Sequence, residues 1–307
     1  MLRSLYSGVS GMKNFQTKLD VIGNNIANVN TYGFKKGRVT YKDLMSQQMA
    51  GASAATANTS GMNAKQVGLG SALSSIDTIH TGGANQSTGR TLDLALAGDG
   101  FFAVGTIKGS VDFTTNKING PIEDAVDLSY TRAGNFYLDD QGYLVTADGY
   151  YLIGEAGQKT NAGFGTGTSN SAGLLQIPLD AKSFNIGPDG TVSFVDSGGQ
   201  LRVSGQIRVA NFANDGGLEK VGGNLYKESS NSGTIDKNNN NTWELAELDI
   251  PGQNGSATIM TGFLEMSNVD LAEEFTDMIV AQRGFQSNTK VITTSDEILQ
   301  ELMNLKR

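Results

Sequence analysis

The sequence predicts an α+β fold in which long N- and C-terminal helices form a coiled-coil domain around a central all-β domain of barrel or sandwich type. Apolar residues recur every seven positions at both ends of the 307-residue chain, as in helices that bury a seam against another helix. Between the ends the apolar period is two and glycine is frequent. Turn signals recur about every 8–12 residues there, which is typical of short antiparallel strands.

The first helix is predicted over residues 2–29. Its apolar side chains form two rows, which are Leu5, Met12, Leu19 and Ile26, and Phe15, Ile22 and Val29 with Gly8 at the head. The helix should end at residues 30–33, where Asn and Gly suit the left-handed conformation of a helix exit.

The second long helix is predicted to follow a capping box at residues 267–270, in which Ser267 and Asp270 can each accept from a free backbone N–H. Its main row is Leu271, Met278, Phe285, Ile292 and Leu299, accompanied by Phe275 and broadened by Ile279, Ile298 and Leu302. Gly284 lies inside this helix. It indicates either a close neighbour or a weak point that costs about 1 kcal/mol relative to alanine.

The apolar rows of the two helices are the candidate assembly interface. Its residues are Leu5, Met12, Phe15, Leu19, Ile22, Ile26, Val29, Leu271, Phe275, Met278, Phe285, Ile292 and Leu299. Two helices paired only with each other would leave part of these rows uncovered, so further copies of the chain are the expected partners.

Four segments are predicted: an N-terminal helix (1–34), a linker (35–67), the β domain (68–261) and a C-terminal helix (262–307). Residues 38–48 could be a short helix or extended, and the small residues of 50–61 favour a flexible connection. Hairpins are predicted around Asp148-Gly149 and around Pro188-Asp189-Gly190. Residues 154–173 and 229–241 are expected to be long loops.

Composition excludes several functions. A net charge of −8 argues against nucleic-acid binding, and the one basic cluster, Lys35, Lys36 and Arg38, is interpreted as a solvated turn. The chain has no cysteine, which excludes disulfides and thiolate chemistry. Neither a cleavable signal peptide nor a membrane-spanning run is expected.

Enzymatic chemistry has little support. The single histidine, His80, lacks a nucleophile motif and is expected at the end of a strand. Residues 163–167 are glycine-rich but read as a loop rather than a phosphate site. A carbohydrate-active protein remains the competing class. Its acid and base could be Asp139 with Asp140, or Asp148 with Glu155.

One segment has the spacing of a calcium loop. Oxygen ligands could come from Asp236, Asn238, Asn240, Glu244 and Glu247. A solvated asparagine-rich loop is the preferred interpretation, because the flanks read as strands and Asn241 replaces the expected glycine. No metal or cofactor is therefore predicted.

Several segments resemble the bacterial flagellar rod and hook protein family. They lie at residues 7–8, 20–35, 88–102, 130–136, 142–145 and 267–286, and include DVIGNNIANVNTYGFK at 20–35 and IVAQRGFQ at 279–286. Each motif is weak alone, but together they cover both ends and most of the middle of the chain.

The resemblance implies a non-catalytic axial subunit that polymerises helically, with helices lining an inner tube and β domains outside. It implies export by the flagellar type III apparatus without a cleaved signal. Within the family, residues 63–70 and the chain length favour the hook, a flexible extracellular joint that transmits torque from rod to filament. The distal rod is the alternative. Expected partners are the chain itself and the distal rod, hook-cap and hook–filament junction proteins.

Overall fold

The computed structural model describes residues 2–54, 60–109, 111–118, 122–160, 163–233 and 245–305. The chain divides into two compact units. Unit 1 consists of Met1–Val29, Lys36–Ile79 and Val269–Arg307, and unit 2 of Asn30–Lys35 and His80–Asn268. The chain therefore passes between the units four times.

Helices at both ends of the chain confirm the first part of the predicted fold. The helices are α1 (Leu2–Ala27), α2 (Ile122–Ala125) and α3 (Leu271–Asn304). At the start of α3, Asp270 is the N-cap, and its Oδ1 accepts from the backbone N–H of Ala272 at 2.8 Å. The cap therefore comes from Asp270, while Ser267 lies three residues before it, outside the helix.

The two long helices pack antiparallel within unit 1. A Cβ added at Gly8 would contact Ile292, and Lys18 forms an ion pair with Asp277 at 3.1 Å. Farther along α1, Asn25 donates to both carboxylate oxygens of Glu274 at 3.2 Å. Successive residues of α1 thus meet α3 in reverse order. Coiled-coil supercoiling of this pair remains a prediction.

The described residues of unit 1 also include four strands, of which the first two and most of the third lie in the predicted linker (35–67) and the fourth lies at the start of the predicted β domain (68–261). They are β1 (Gly37–Asp43), β2 (Ser46–Ala50), β3 (Lys65–Gly68) and β4 (Ser71–Thr78). β1 pairs antiparallel with β4, and β2 with β3. The ambiguous residues 38–48 are thus mostly in strands. Within the segment 50–61, expected to be flexible, the described residues that pair are Ala50 and Ser53.

Unit 2 is rich in short strands, which confirms the predicted central β domain. They are β5 (Asn85–Ser87), β6 (Leu94–Ala97), β7 (Phe101–Ile107), β8 (Val111–Asp112), β9 (Lys117–Ile118), β10 (Val126–Thr131), β11 (Tyr137–Leu138), β12 (Leu144–Val145), β13 (Tyr151–Thr160), β14 (Gly163–Leu174), β15 (Ser183–Ile186), β16 (Thr191–Val195), β17 (Leu201–Ile207), β18 (Val209–Ala210), β19 (Glu219–Gly222), β20 (Leu225–Lys227), β21 (Thr258–Thr261) and β22 (Phe263–Glu265).

One sheet organises this unit. Among the described residues it has 14 strands, with the main path β15-β16-β17-β13-β7-β10-β20-β19, and it forms a half-barrel. β6 pairs with β21, and β5 with β22, in separate ladders. The predicted barrel or sandwich is therefore present only as an incomplete barrel.

The two predicted hairpins are confirmed. Val145 pairs with Tyr151 across Asp148-Gly149. Phe184 pairs with Phe194, on either side of Pro188-Asp189-Gly190. The expected loop at 154–173 is wrong, because these residues form most of the hairpin β13–β14, and β13 also pairs with β17. Glycine in this segment accompanies strand pairing rather than a loop.

The core of unit 2 lies on both faces of the sheet. Along β7, Phe102 and Val104 belong to one apolar cluster, while Phe101 and Ala103 belong to the other. Successive side chains of a strand point to opposite faces. β7 is therefore a central strand that feeds both cores.

Candidate assembly surface

The predicted apolar rows are only partly used within unit 1. Ile22 is buried, whereas Leu271 and Phe275 are exposed, the latter by 50%. The remaining ten predicted residues have intermediate exposure, namely Leu5, Met12, Phe15, Leu19, Ile26, Val29, Met278, Phe285, Ile292 and Leu299. The pairing of α1 with α3 therefore leaves apolar surface on both rows.

Small and polar residues form the face of α3 that is buried in unit 1. Glu274, Ala281 and Ser295 are its buried residues, at seven- and fourteen-residue spacing. A Cβ at Gly284 would lie 2.5 Å from Cζ of Phe15. The close-neighbour interpretation of Gly284 is thus correct. The small residues of this face let the two helices approach closely. The larger apolar residues of α3 lie at the edges of this face or on the exposed side of the helix.

Further large apolar side chains on both helices are exposed. They are Tyr6 and Val9 on α1, and Ile279, Val280, Val291, Ile298, Leu302 and Met303 on α3, with Leu305 just beyond it. Tyr6, Val9, Val280 and Val291 were missed in the sequence because they lie outside the heptad rows. The signal in the sequence that could have identified them is the occurrence of apolar residues at helix positions outside those rows. Such a surface is unusual unless another protein covers it.

The hairpin β2–β3 adds a second exposed apolar region to unit 1. Gln47 pairs with Val67, and Leu44 N–H bonds to the carbonyl of Gly70, so Met45 and Leu69 extend the face that carries Val67. Met45 is 83% exposed. Two-stranded hairpins are marginal in water. The linker interpretation of this segment missed the surface.

A cleft of about 390 Å³ in unit 1 is lined partly by charged residues, several of which form ion pairs with each other. Lys36 pairs with Glu273 at 2.9 Å, and Lys18 pairs with Asp277. Burial raises the pKa of Glu274, against the opposing effect of the Asn25 hydrogen bond. No set of three or more potential metal ligands occurs within the part of the chain that the structure describes.

The basic cluster after α1 is only in part the solvated turn that was expected, because Arg38 is exposed but Lys35 is not. Lys35 is fully buried in unit 2, where its Nζ lies 2.6 Å from Glu265 Oε1. Arg132 Nη1 lies 3.4 Å from Glu265 Oε2 and is equally buried. Sequence reasoning missed this because the acid that attracts Lys35 is 230 residues away.

His80 packs among aromatic rings rather than in a catalytic group. Its ring lies 5.6 Å from that of Phe101 and 5.5 Å from that of Tyr226. Burial, and then the charges of Lys35, Arg132 and Lys220, lower the pKa of His80 to about 4. The imidazole is therefore neutral at neutral pH.

In each pair of carboxylates proposed for carbohydrate cleavage, one member has structural partners. Asp139 accepts from the backbone N–H groups of Gln141 and Tyr143, which closes a turn. Glu155 is buried and paired with Arg208. Of the calcium-loop candidates, Asp236, Asn238, Asn240 and Glu244 lie outside the described residues, and Glu247 is buried in a short 3₁₀ turn.

Three family models match the chain. "Flagella basal body rod protein" matches residues 5–35, "Flagellar hook protein FlgE/F/G D1 domain" residues 121–194, and "Flagellar basal body rod FlgEFG protein C-terminal" residues 260–305. The first of these ranges includes most of α1, and the last includes all of α3. No helix among the described residues is long and apolar enough to cross a membrane.

Full-length relatives include both rod and hook proteins. The flagellar basal-body rod protein FlgG of Bacillus subtilis is 57% identical over 307 residues, covering 100% of both chains. FlgG of Borreliella burgdorferi is 35% identical over 309 residues, again with 100% of both covered. The flagellar hook protein FlgE of the same species is 32% identical over 452 residues, covering 100% of both.

Proposed function

The chain belongs to the family of bacterial flagellar rod and hook proteins, and we propose that it is a distal rod protein that assembles helically with copies of itself. The chain is a flagellar axial structural protein. Its relatives are structural proteins and not enzymes, which agrees with the non-catalytic function expected from the sequence. The carbohydrate-active alternative has no support from them.

The rod assignment replaces the hook that residues 63–70 and the chain length favoured. The observation that carries it is the 57% identity to a rod protein over the whole of both chains. By contrast, alignment with a hook protein extends over 452 positions, more than the 307 residues available here. The hook relative therefore contains sequence that this chain lacks, whereas the rod relatives match it in length.

Exposed apolar surface on unit 1 supports self-assembly. The buried residues of α3 are small or polar, so Phe275, Ile279 and their neighbours remain available to other subunits. Burial of apolar area is the main favourable contribution to protein association. Copies of α1, α3 and the hairpin β2–β3 would cover this surface in a polymer.

Other axial flagellar proteins are the further partners that family membership supports. The proposed neighbours along the flagellar axis are other rod proteins on one side and the hook on the other. The hook-cap and hook–filament junction proteins, which were expected as partners of a hook subunit, would lie farther along the axis. Delivery by the flagellar type III export apparatus remains a proposal.

Immunogold labelling of isolated hook–basal bodies tests the assignment. Antibody against this chain should label the rod, within the region of the cell envelope, and not the hook. Gold along the curved hook would refute the rod assignment while leaving the family intact. Negative-stain microscopy of concentrated purified protein should show short tubes, and persistent monomers would contradict self-assembly.

A further inference from the structure

The residues of unit 2 at all four chain crossings converge near one carboxylate. These crossings follow Val29, Lys35, Ile79 and Asn268. On the unit 2 side, three segments flank them: residues 30–35, 80–84 and 265–268. The chain passes between the two units through these segments. The bonds that hold the segments in unit 2 therefore determine how firmly the connections are attached to that unit.

The side chain of Glu265 bonds to two of these segments and to the sheet. Lys35 Nζ donates to Glu265 Oε1 at 2.6 Å, and the backbone N–H of Gly83 donates to the same oxygen at 3.0 Å. Arg132, directly after β10, donates to Oε2 at 3.4 Å. Lys35, Arg132 and Glu265 are 0, 1 and 2% exposed. Water therefore cannot replace these bonds.

Backbone and side-chain bonds complete the connection between the segments. The carbonyl of Glu265 accepts from Gly33 N–H at 2.8 Å, and Met266 N–H donates to the carbonyl of Ala84 at 2.9 Å. Lys35 Nζ also donates to the carbonyl of Thr81 at 2.8 Å. Each segment thus bonds to the other two.

The packing leaves no space for a side chain at one of these contacts. A Cβ at Gly83 would lie 2.0 Å from the carbonyl oxygen of Met266, whereas one at the adjacent Gly82 would meet nothing within 4 Å. Neighbouring glycines therefore differ sharply in what they tolerate. This difference provides a matched pair of variants.

We propose that Glu265 anchors a clamp, formed with Lys35, Arg132 and Gly83, that makes the three crossing segments open and close as one cooperative element. Removing one member of a buried ion pair leaves the other charge uncompensated, which is costly in a dry interior. Loss of Glu265 should therefore release all three segments together. The sheet core, with its own apolar clusters, should stay closed.

Hydrogen–deuterium exchange of the full chain tests the clamp through the Glu265→Gln variant. The new amide NH₂ group would face either Lys35 or Arg132, both of which are donors. Exchange in peptides containing Gly33, Gly83 and Met266 should accelerate about tenfold or more, because opening no longer breaks a charged bond. Exchange in β7 and β10 should change little.

A buried carboxylate elsewhere in unit 2 gives the control. Glu155 is 1% exposed, pairs with Arg208 and accepts from the backbone N–H of Asn170. Glu155→Gln should accelerate exchange near Asn170 and leave the three crossing segments unchanged. Faster exchange at the crossings in this variant would overturn the proposal, because it would show general loosening of the unit.

The Gly83→Ala and Gly82→Ala variants decide the case if Glu265→Gln does not fold. Gly83→Ala should accelerate exchange in all three segments, and Gly82→Ala should not. A double variant, Lys35→Met with Glu265→Gln, should increase exchange less than the product of the two single effects. Independent effects, release of a single segment, or equal acceleration in β7 would each refute the clamp.

Discussion

Phe285→Asp should abolish assembly while leaving the β-rich unit 2 folded. Phe285 lies at the centre of the row Leu271, Met278, Phe285, Ile292 and Leu299 and has intermediate exposure in the single chain. Part of its apolar surface is therefore free to be buried by a neighbouring subunit. The core of unit 2 contains no residue of this row.

The expected magnitude follows from that intermediate exposure. Burying a whole phenylalanine side chain contributes about 1.5–3 kcal/mol, so its free part, about a third at most, contributes roughly 0.5–1 kcal/mol. An unpaired carboxylate there adds about 1–3 kcal/mol of desolvation. A total of about 1.5–4 kcal/mol per subunit would raise the critical concentration for assembly by roughly ten- to thousandfold.

Sedimentation of polymer against protein concentration measures this change, and thermal unfolding reports on unit 2. Residues of the row can pack between α1 and α3 or contact neighbouring subunits, and Phe275→Asp separates these two roles. Because Phe275 is 50% exposed, its replacement should impair assembly with less effect on the α1–α3 pair. Ser287→Asp, at an exposed position off the predicted row, is the charge-matched control and should assemble. Normal polymer yield from Phe285→Asp and Phe275→Asp would refute the proposed interface.

Three further predictions concern the helices and His80. Circular dichroism should show helix content rising on polymerisation, because isolated helices are marginal without packing; full helicity in a dilute monomer would contradict this. Gly284→Ala should lower the urea midpoint of the polymer, since the new Cβ would lie 2.5 Å from the Phe15 ring. In a Phe15→Ala background the same change should raise the midpoint, because only the higher helix propensity of alanine then acts. For His80, the folded pKa of about 4 lies below the ordinary histidine pKa of 6.5, so the unfolded chain binds the proton first as pH falls. Stability should decline between about pH 6.5 and 4 and level off below that range. His80→Phe should flatten that part of the profile relative to the parent chain, as measured by urea unfolding at each pH, and an unchanged slope would exclude His80 as its source.

Local sequence patterns predicted the elements whose signals lie within a few residues. Asp270 caps α3 because its side chain reaches an N–H two residues away. The turns at Asp148-Gly149 and Pro188-Asp189-Gly190 fix the registers of their hairpins. Apolar periodicity likewise located α1 and α3, because a helix must bury one face to be stable.

Long-range packing decided what these patterns missed. Residues 154–173 appeared to be a loop because they are glycine-rich, yet β13 pairs there with both β14 and β17. Residues 35–67 were predicted to be a linker, yet β1 pairs with β4, and β2 pairs with β3 and exposes an apolar face. In both cases the partner strand, rather than local propensity, determines the conformation.

By itself, the sequence determined that this protein has terminal helices with apolar rows, a β-rich middle, and the motifs of a flagellar axial subunit. Only the tertiary structure decided that the helices pair through Gly284 and other small residues, which leaves larger apolar side chains outside. It also decided that Lys35, in a basic cluster interpreted as solvated, is buried against Glu265. The physical reason is that period and propensity act over a few residues, whereas the burial of a charge depends on a partner that the fold brings from the opposite end of the chain.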